Sequence, residues 1–156
     1  MNENPLDVVQ YYNEAKRDII KTADHFENLG YKYFSIFGTS LSSTLALIVA
    51  NSDNRFKKII LSFIGSDFAQ SFWESNQLLV KTIKNKMLAN NINLKILQKY
   101  WKNLSPINNI DNIMGKKLLI ILAKNDKVVP YKYGLDLLTK FKKERINFEL
   151  YTDNFF

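Results

Sequence analysis

Four short apolar runs, separated by segments of helical periodicity, constrain this chain more than any other feature. They are residues 33–37 (Tyr-Phe-Ser-Ile-Phe), 57–64, 117–123 (Lys-Leu-Leu-Ile-Ile-Leu-Ala) and 146–151. The first three, short and mostly apolar, read as strands buried in a parallel sheet, and 146–151 reads as a fourth strand. Between them the period changes. Asn4-Pro5-Leu6-Asp7 is a helix start, with a capping side chain, a proline suited to the first position and an acid near the positive end of the dipole. Apolar residues then recur on one helical face at Leu6, Val9, Tyr12, Ile19, Ala23 and Phe26, and Gly30 closes the helix. Residues 41–50 read as a second helix. A long helical stretch covers 68–104, interrupted near Asn90-Asn91 and stopped by Ser105-Pro106. Pro130 opens a last helix running to about Lys143. Alternation of this kind predicts an α/β domain: a parallel sheet of about four strands with helices on both faces. The whole span 1–156 reads as a single domain, with a helical cap-like insert at about 66–105.

Composition narrows the function classes. The chain is 46% hydrophobic, which argues against disorder. It has no cysteine, so no disulfide framework, thiolate zinc site or cysteine nucleophile, and it suits the reducing cytoplasm. The net charge of +7 is carried almost wholly by lysine; Arg17, Arg55 and Arg145 are the arginines. Nucleic-acid readers favour arginine forks, so the lysines read as a solvated surface and no nucleic-acid partner is expected. No secretory signal and no apolar run near 18 residues is present, so no stable membrane span is expected. The few glycines form no phosphate loop and no metal ligands cluster, so neither cofactor nor metal is expected.

In a parallel α/β sheet, ligands bind beyond the carboxyl ends of the strands. Two turns lie there. After the first strand comes Gly38-Thr39-Ser40-Leu41-Ser42. A nucleophile on a tight strand-to-helix turn needs small residues two before and two after it, and Gly38 and Ser42 supply them around Ser40. The N–H of Leu41, at the start of the following helix, would face an oxyanion. The plainer alternative is that Ser40 caps that helix. After the third strand comes Asn125-Asp126-Lys127-Val128-Val129-Pro130. Asp126 could orient a histidine by accepting a hydrogen bond, or could simply make an Asx turn.

Together these segments resemble the α/β-hydrolase family. Gly38-Thr39-Ser40-Leu41-Ser42 looks like its nucleophile elbow. Ser105-Pro106, Gly115-Lys116-Lys117 leading into the third strand, and then Asn125 to Pro130 resemble the stretch that carries its acid. The resemblance implies Ser40 as nucleophile, Asp126 as acid, Leu41 as oxyanion donor, a cap between them, and a serine hydrolase acting on carboxylic ester, lipase or thioesterase-like substrates. Where members usually have glycine two residues after the nucleophile, this chain has Ser42, and Ala123 stands where glycine is frequent.

The resemblance also implies missing parts. The family fold has eight core strands, and this chain matches the last four, as a piece shortened at both ends. The second oxyanion donor belongs to the part that precedes. The triad histidine normally follows the last strand, and none stands between Tyr151 and Phe156. His25 cannot replace it. It precedes the first strand, Ser40 follows it, and such a strand spans roughly 17–20 Å, against the roughly 3 Å that proton transfer needs. Two functions follow: a serine hydrolase with an incomplete triad, or a non-catalytic remnant or interaction module that keeps the fold. The open, apolar edge of the first strand would invite either self-association or a complementing polypeptide. A basic amphipathic membrane surface on the insert (Phe68, Phe72, Trp73, Leu78, Leu79, Trp101) is the weaker reading beside a cap packed over the cleft.

Overall fold

The computed structural model describes residues 4–154. Strands β1 (Phe34–Thr39), β2 (Phe56–Ser62), β3 (Lys117–Ala123) and β4 (Glu149–Asp153) form one sheet in the order β1-β2-β3-β4. All three pairings are parallel. Helices α1 (Pro5–Asn28), α2 (Leu41–Ser52) and α6 (Tyr131–Lys143) flank it. The insert holds α3 (Phe68–Glu74), α4 (Leu78–Ala89) and α5 (Leu94–Tyr100), followed by two single 3₁₀ turns.

The local signals account for most of these bounds. Asn4 caps α1 by accepting from Leu6 N–H at 3.0 Å, with Pro5 at the first position. Gly30 lies just past the helix at φ +97, the left-handed conformation of a C′ glycine. Three boundaries differ from the sequence expectation. The first strand continues through Gly38 and Thr39, which pair with Leu61 and Ser62, so the turn is tighter than Gly38 to Ser42 suggests. The helical stretch 68–104 breaks twice, once near Asn90 as expected and once at Ser75, whose ψ of 134 is extended. The last strand starts at Glu149 because residue 146 is spent on closing α6: Ile146 N–H donates to Phe141 O at 2.9 Å.

The main core is one-sided: among the described residues the helices, expected on both faces of the sheet, pack on one. Ala23 of α1, Leu47 and Val49 of α2, and Leu137 and Phe141 of α6 meet Ile59, Leu61, Leu118, Ile120 and Leu122 of the strands. In a strand successive side chains face opposite ways. The alternate residues Phe37, Ile60, Leu119, Ile121 and Tyr151 are exposed or half-buried and lie outside the core clusters. A register shift after Phe34 lets Phe56 stay in the core while Ile59 and Leu61 keep the inward face.

A second cluster builds the insert onto α1 and α2. Trp101 is fully buried, donates Nε1–H to Pro5 O at 2.9 Å, and has Phe68 and Phe72 packed against its ring. These aromatics are therefore core, while Leu78 and Leu79 of the same stretch are exposed. Among the described residues no helix is long and apolar enough to cross a membrane.

Candidate active site

Register places the two turns at one end of the sheet. Thr39 pairs with Ser62, and Ser62 pairs with Ile121, so Ser40 and the loop after Ala123 emerge on the same side with β2 between them. At a strand spacing of about 4.8 Å, their strands are roughly 10 Å apart.

Ser40 has φ 53 and ψ −122, a conformation that costs a non-glycine residue energy. The surroundings impose it. Ser40 N–H donates to Ser62 O at 2.8 Å, and Ser40 O accepts Ser43 N–H at 3.0 Å. Ser42 Oγ accepts Thr39 N–H and donates to Thr39 O, both at 2.9 Å. A Cβ on Gly38 would lie 2.3 Å from Ser42 O, so the close approach of helix to strand requires glycine there. The residue at Ser42 that departs from the family pattern therefore clamps the turn rather than loosening it. The Ser40 side chain makes no capping hydrogen bond to α2, which removes the plainer reading of that serine.

Asp126 makes the Asx turn and keeps capacity beyond it. Its Oδ1 accepts from Val128 N–H at 2.7 Å and Val129 N–H at 3.0 Å. Its Oδ2 has no hydrogen-bond partner among the described residues. The loop is fixed at both flanks: Lys124 N–H donates to Asp153 O at 2.9 Å, and Asn76 N–H of the insert donates to Lys127 O at 3.2 Å.

Between the two turns lies a cavity of about 220 Å³, lined by Ser40, Leu41, Phe63, Phe68, Val80 and Val129 among others. Its wall is mostly apolar and comes from the sheet end, the insert and the loop after Asp126. Sequence reasoning missed Phe63 and Ser71. Phe63 turns into the cavity at φ 57, immediately after β2, where the sequence placed a continuing strand. Ser71 Oγ is buried without a hydrogen-bond partner among the described residues. Tyr12, counted on the apolar face of α1, instead braces the turn: its hydroxyl donates to Leu41 O at 2.9 Å, and burial pushes its phenol pKa up.

His25 lies at the other end of the sheet. It is exposed on the last turns of α1, next to Asp24, which pairs with Arg55 just before β2. Among the described residues no group of His, Asp or Glu could hold a metal ion.

Solved structures share this fold. The puromycin-hydrolyzing peptidase of Mycobacterium tuberculosis superposes with a TM-score of 0.71 at 18% identity, over 88% of this chain and 21% of its own. The acylaminoacyl peptidase of Pyrococcus horikoshii gives 0.68 at 18%, over 88% of this chain and 22% of its own. The acetyl xylan esterase from Paenibacillus sp. R4 gives 0.73 at 15%, over 91% of this chain and 46% of its own. The fold is that of the α/β-hydrolases, and this chain spans between about a fifth and a half of those proteins. No curated protein matches it. Residues 10–154 match the prolyl oligopeptidase family, and the chain belongs to that family.

Proposed function

We propose that this chain carries the nucleophile and acid of a serine hydrolase site. Ser40 is the nucleophile on a nucleophile elbow formed with Gly38 and Ser42, Leu41 N–H is an oxyanion donor, and Asp126 Oδ2 orients a histidine. The observation that carries this reading is the strained, non-capping Ser40 beside an apolar cavity. Strain of that kind persists where a site needs it. Ser40 Oγ adds to a scissile carbonyl and passes its proton to the imidazole. The oxyanion is held by Leu41 N–H, and collapse expels an alcohol, thiol or amine that takes up that proton. Among the described residues the cavity wall carries no charged side chain, which favours an uncharged apolar group next to the carbonyl. Esters and thioesters fit the alcohol and thiol leaving groups; the family and the two peptidases add peptide bonds to the substrate class.

His25 lies too far from Ser40 to serve as base, so the imidazole comes from another polypeptide segment. The same distance favours a second reading, a hydrolase-fold module that binds apolar groups without turning them over. Intact mass after treatment with a fluorophosphonate probe separates the two. Under the first reading wild type acquires one adduct slowly, added imidazole speeds it, and Ser40→Ala abolishes it. Folded wild-type protein that stays unlabelled even with imidazole would leave only the binding module.

A further inference from the structure

The cavity beside Ser40 is mostly apolar, and its polar points are unusual. Phe63, just after β2, and Phe68 and Phe72 of α3 bring three phenyl rings to its wall. Thr44 of α2 and Ser71 of α3 come with them. Of three consecutive hydroxyls on the first turn of α2, Ser42 donates to Thr39 O and Ser43 donates to Ser40 O. Thr44 is left over: it is 5% exposed, and its hydroxyl has no hydrogen-bond partner among the described residues. The Ser71 hydroxyl is buried and equally unpartnered among them. Its space is kept by Gly65, which also lines the cavity and on which a Cβ would lie 2.5 Å from Ser71 Oγ.

A buried hydroxyl without a partner costs free energy, and native folds leave few of them. Here two border one cavity, and an occupant of that cavity can supply what both lack. Size and charge define the occupant. An apolar cavity of about 150 Å³ takes up benzene. This one, at about 220 Å³, has room for a ring and a substituent. Three phenyl rings at the wall suit a further ring, packed edge to face. With no charged side chain on the wall among the described residues, an ionised substituent would lose its hydration and gain no counter-charge. A neutral hydroxyl escapes that cost, because it can both give and accept a hydrogen bond.

We propose that this cavity takes a phenol: an aromatic ring whose hydroxyl is recognised by the hydroxyls of Thr44 and Ser71. With Ser40 as the nucleophile, the ring belongs to the group next to the scissile carbonyl, and the substrate class narrows to carbonyl compounds with a hydroxyphenyl side chain. That narrowing rests on the role proposed for Ser40; binding of the ring does not.

Titration of the 156-residue chain with p-cresol and, separately, with toluene tests this, the amide signals being followed by NMR. In a cavity that offers the hydroxyl no partner, burying it costs p-cresol roughly tenfold in affinity against toluene. The expected result is that wild type binds p-cresol at least as tightly as toluene, with the shifts centred on Thr44, Ser71 and Val129. The double substitution Thr44→Val with Ser71→Ala should leave toluene binding unchanged and make toluene the preferred ligand by about tenfold. A wild-type preference for toluene overturns the proposal. So do failure of both ligands to bind, shifts centred elsewhere, and a double variant that keeps the wild-type order. Should the double variant fail to fold, the wild-type order of the two ligands decides alone. Fluorophosphonate labelling reports on Ser40 independently. Phenol binding without labelling ends the hydrolase reading and keeps the phenol site, and labelling without phenol binding does the reverse.

Discussion

Ser40 holds its backbone where an L-residue is strained, and its neighbours pay for that. Glycine adopts such a conformation freely. Ser40→Gly should therefore stabilise the chain by about 1 kcal/mol in urea unfolding while ending probe labelling. Ser40→Ala keeps the strain and should change stability little. Equal stability of the Gly and Ala variants would mean the turn is relaxed. Gly38 works in the opposite sense. A methyl there meets the backbone oxygen of Ser42, so Gly38→Ala should cost about 1–3 kcal/mol or block folding, read by the same titration. Gly38, Ser40, Ser42 and Asp126 were legible in the sequence because a tight turn restricts residue size and because both turns follow apolar runs. That Ser42 Oγ would clamp Thr39, or that the Tyr12 hydroxyl would reach Leu41 O, depends on contacts between distant segments and leaves no local signal.

At the scale of elements, the strands were legible where apolar runs end in lysine or a turn residue, and β3 has the predicted bounds. The insert was less so. Nothing apolar stops at Ser75, and the break there follows from tertiary ties, Asn76 N–H to Lys127 O at 3.2 Å and Glu74 to Lys132 at 2.8 Å. The ammonium of Lys132 holds the Glu74 carboxyl at about 2, below its ordinary 4.5. The folded value lies below the unfolded one, so this tie stabilises fully above about pH 5 and is lost as the pH falls toward about 2. Glu74→Gln should flatten that part of the stability profile. The effect is small because Lys132 is solvated; a profile unchanged by the substitution would remove Glu74 from the account. Lys116 is a stronger tie. It is buried, and its Nζ donates to Ala50 O and Asp53 O, capping the end of α2 against β3. Solvation is given up for those two bonds, and that burial lowers its pKa. Lys116→Met should cost about 1–3 kcal/mol, measured by urea unfolding, because the carbonyls stay buried without a donor.

For the molecule as a whole, the alternation of elements named the sheet but misplaced its cover: helices were expected on both faces and, among the described residues, pack on one. Ile59, Leu61, Leu118, Ile120 and Leu122 face the helices, while Ile60, Leu119 and Ile121 face the other way and enter no core cluster. The sequence could not separate the two sets, because a strand of a parallel sheet reads as apolar on both faces whether or not each face is covered. Neighbouring isoleucines of β3 make the distinction measurable. Ile120 is fully buried between β2 and β4 over the helices, and Ile121, one residue on, is half-buried on the opposite face. Truncating a buried isoleucine costs about 2–5 kcal/mol, because its atoms lose both their transfer energy and their packing. Ile120→Ala should fall in that range. Ile121→Ala leaves no closed cavity and should cost less than about 1 kcal/mol, while lowering binding of a hydrophobic dye to the native protein. Urea titrations of the two variants under dilute conditions, where chains are separate, compare them directly. Matching losses would mean that the second face is covered as well as the first. A loss confined to Ile120 would mean that the stability of this chain resides on one side of its sheet.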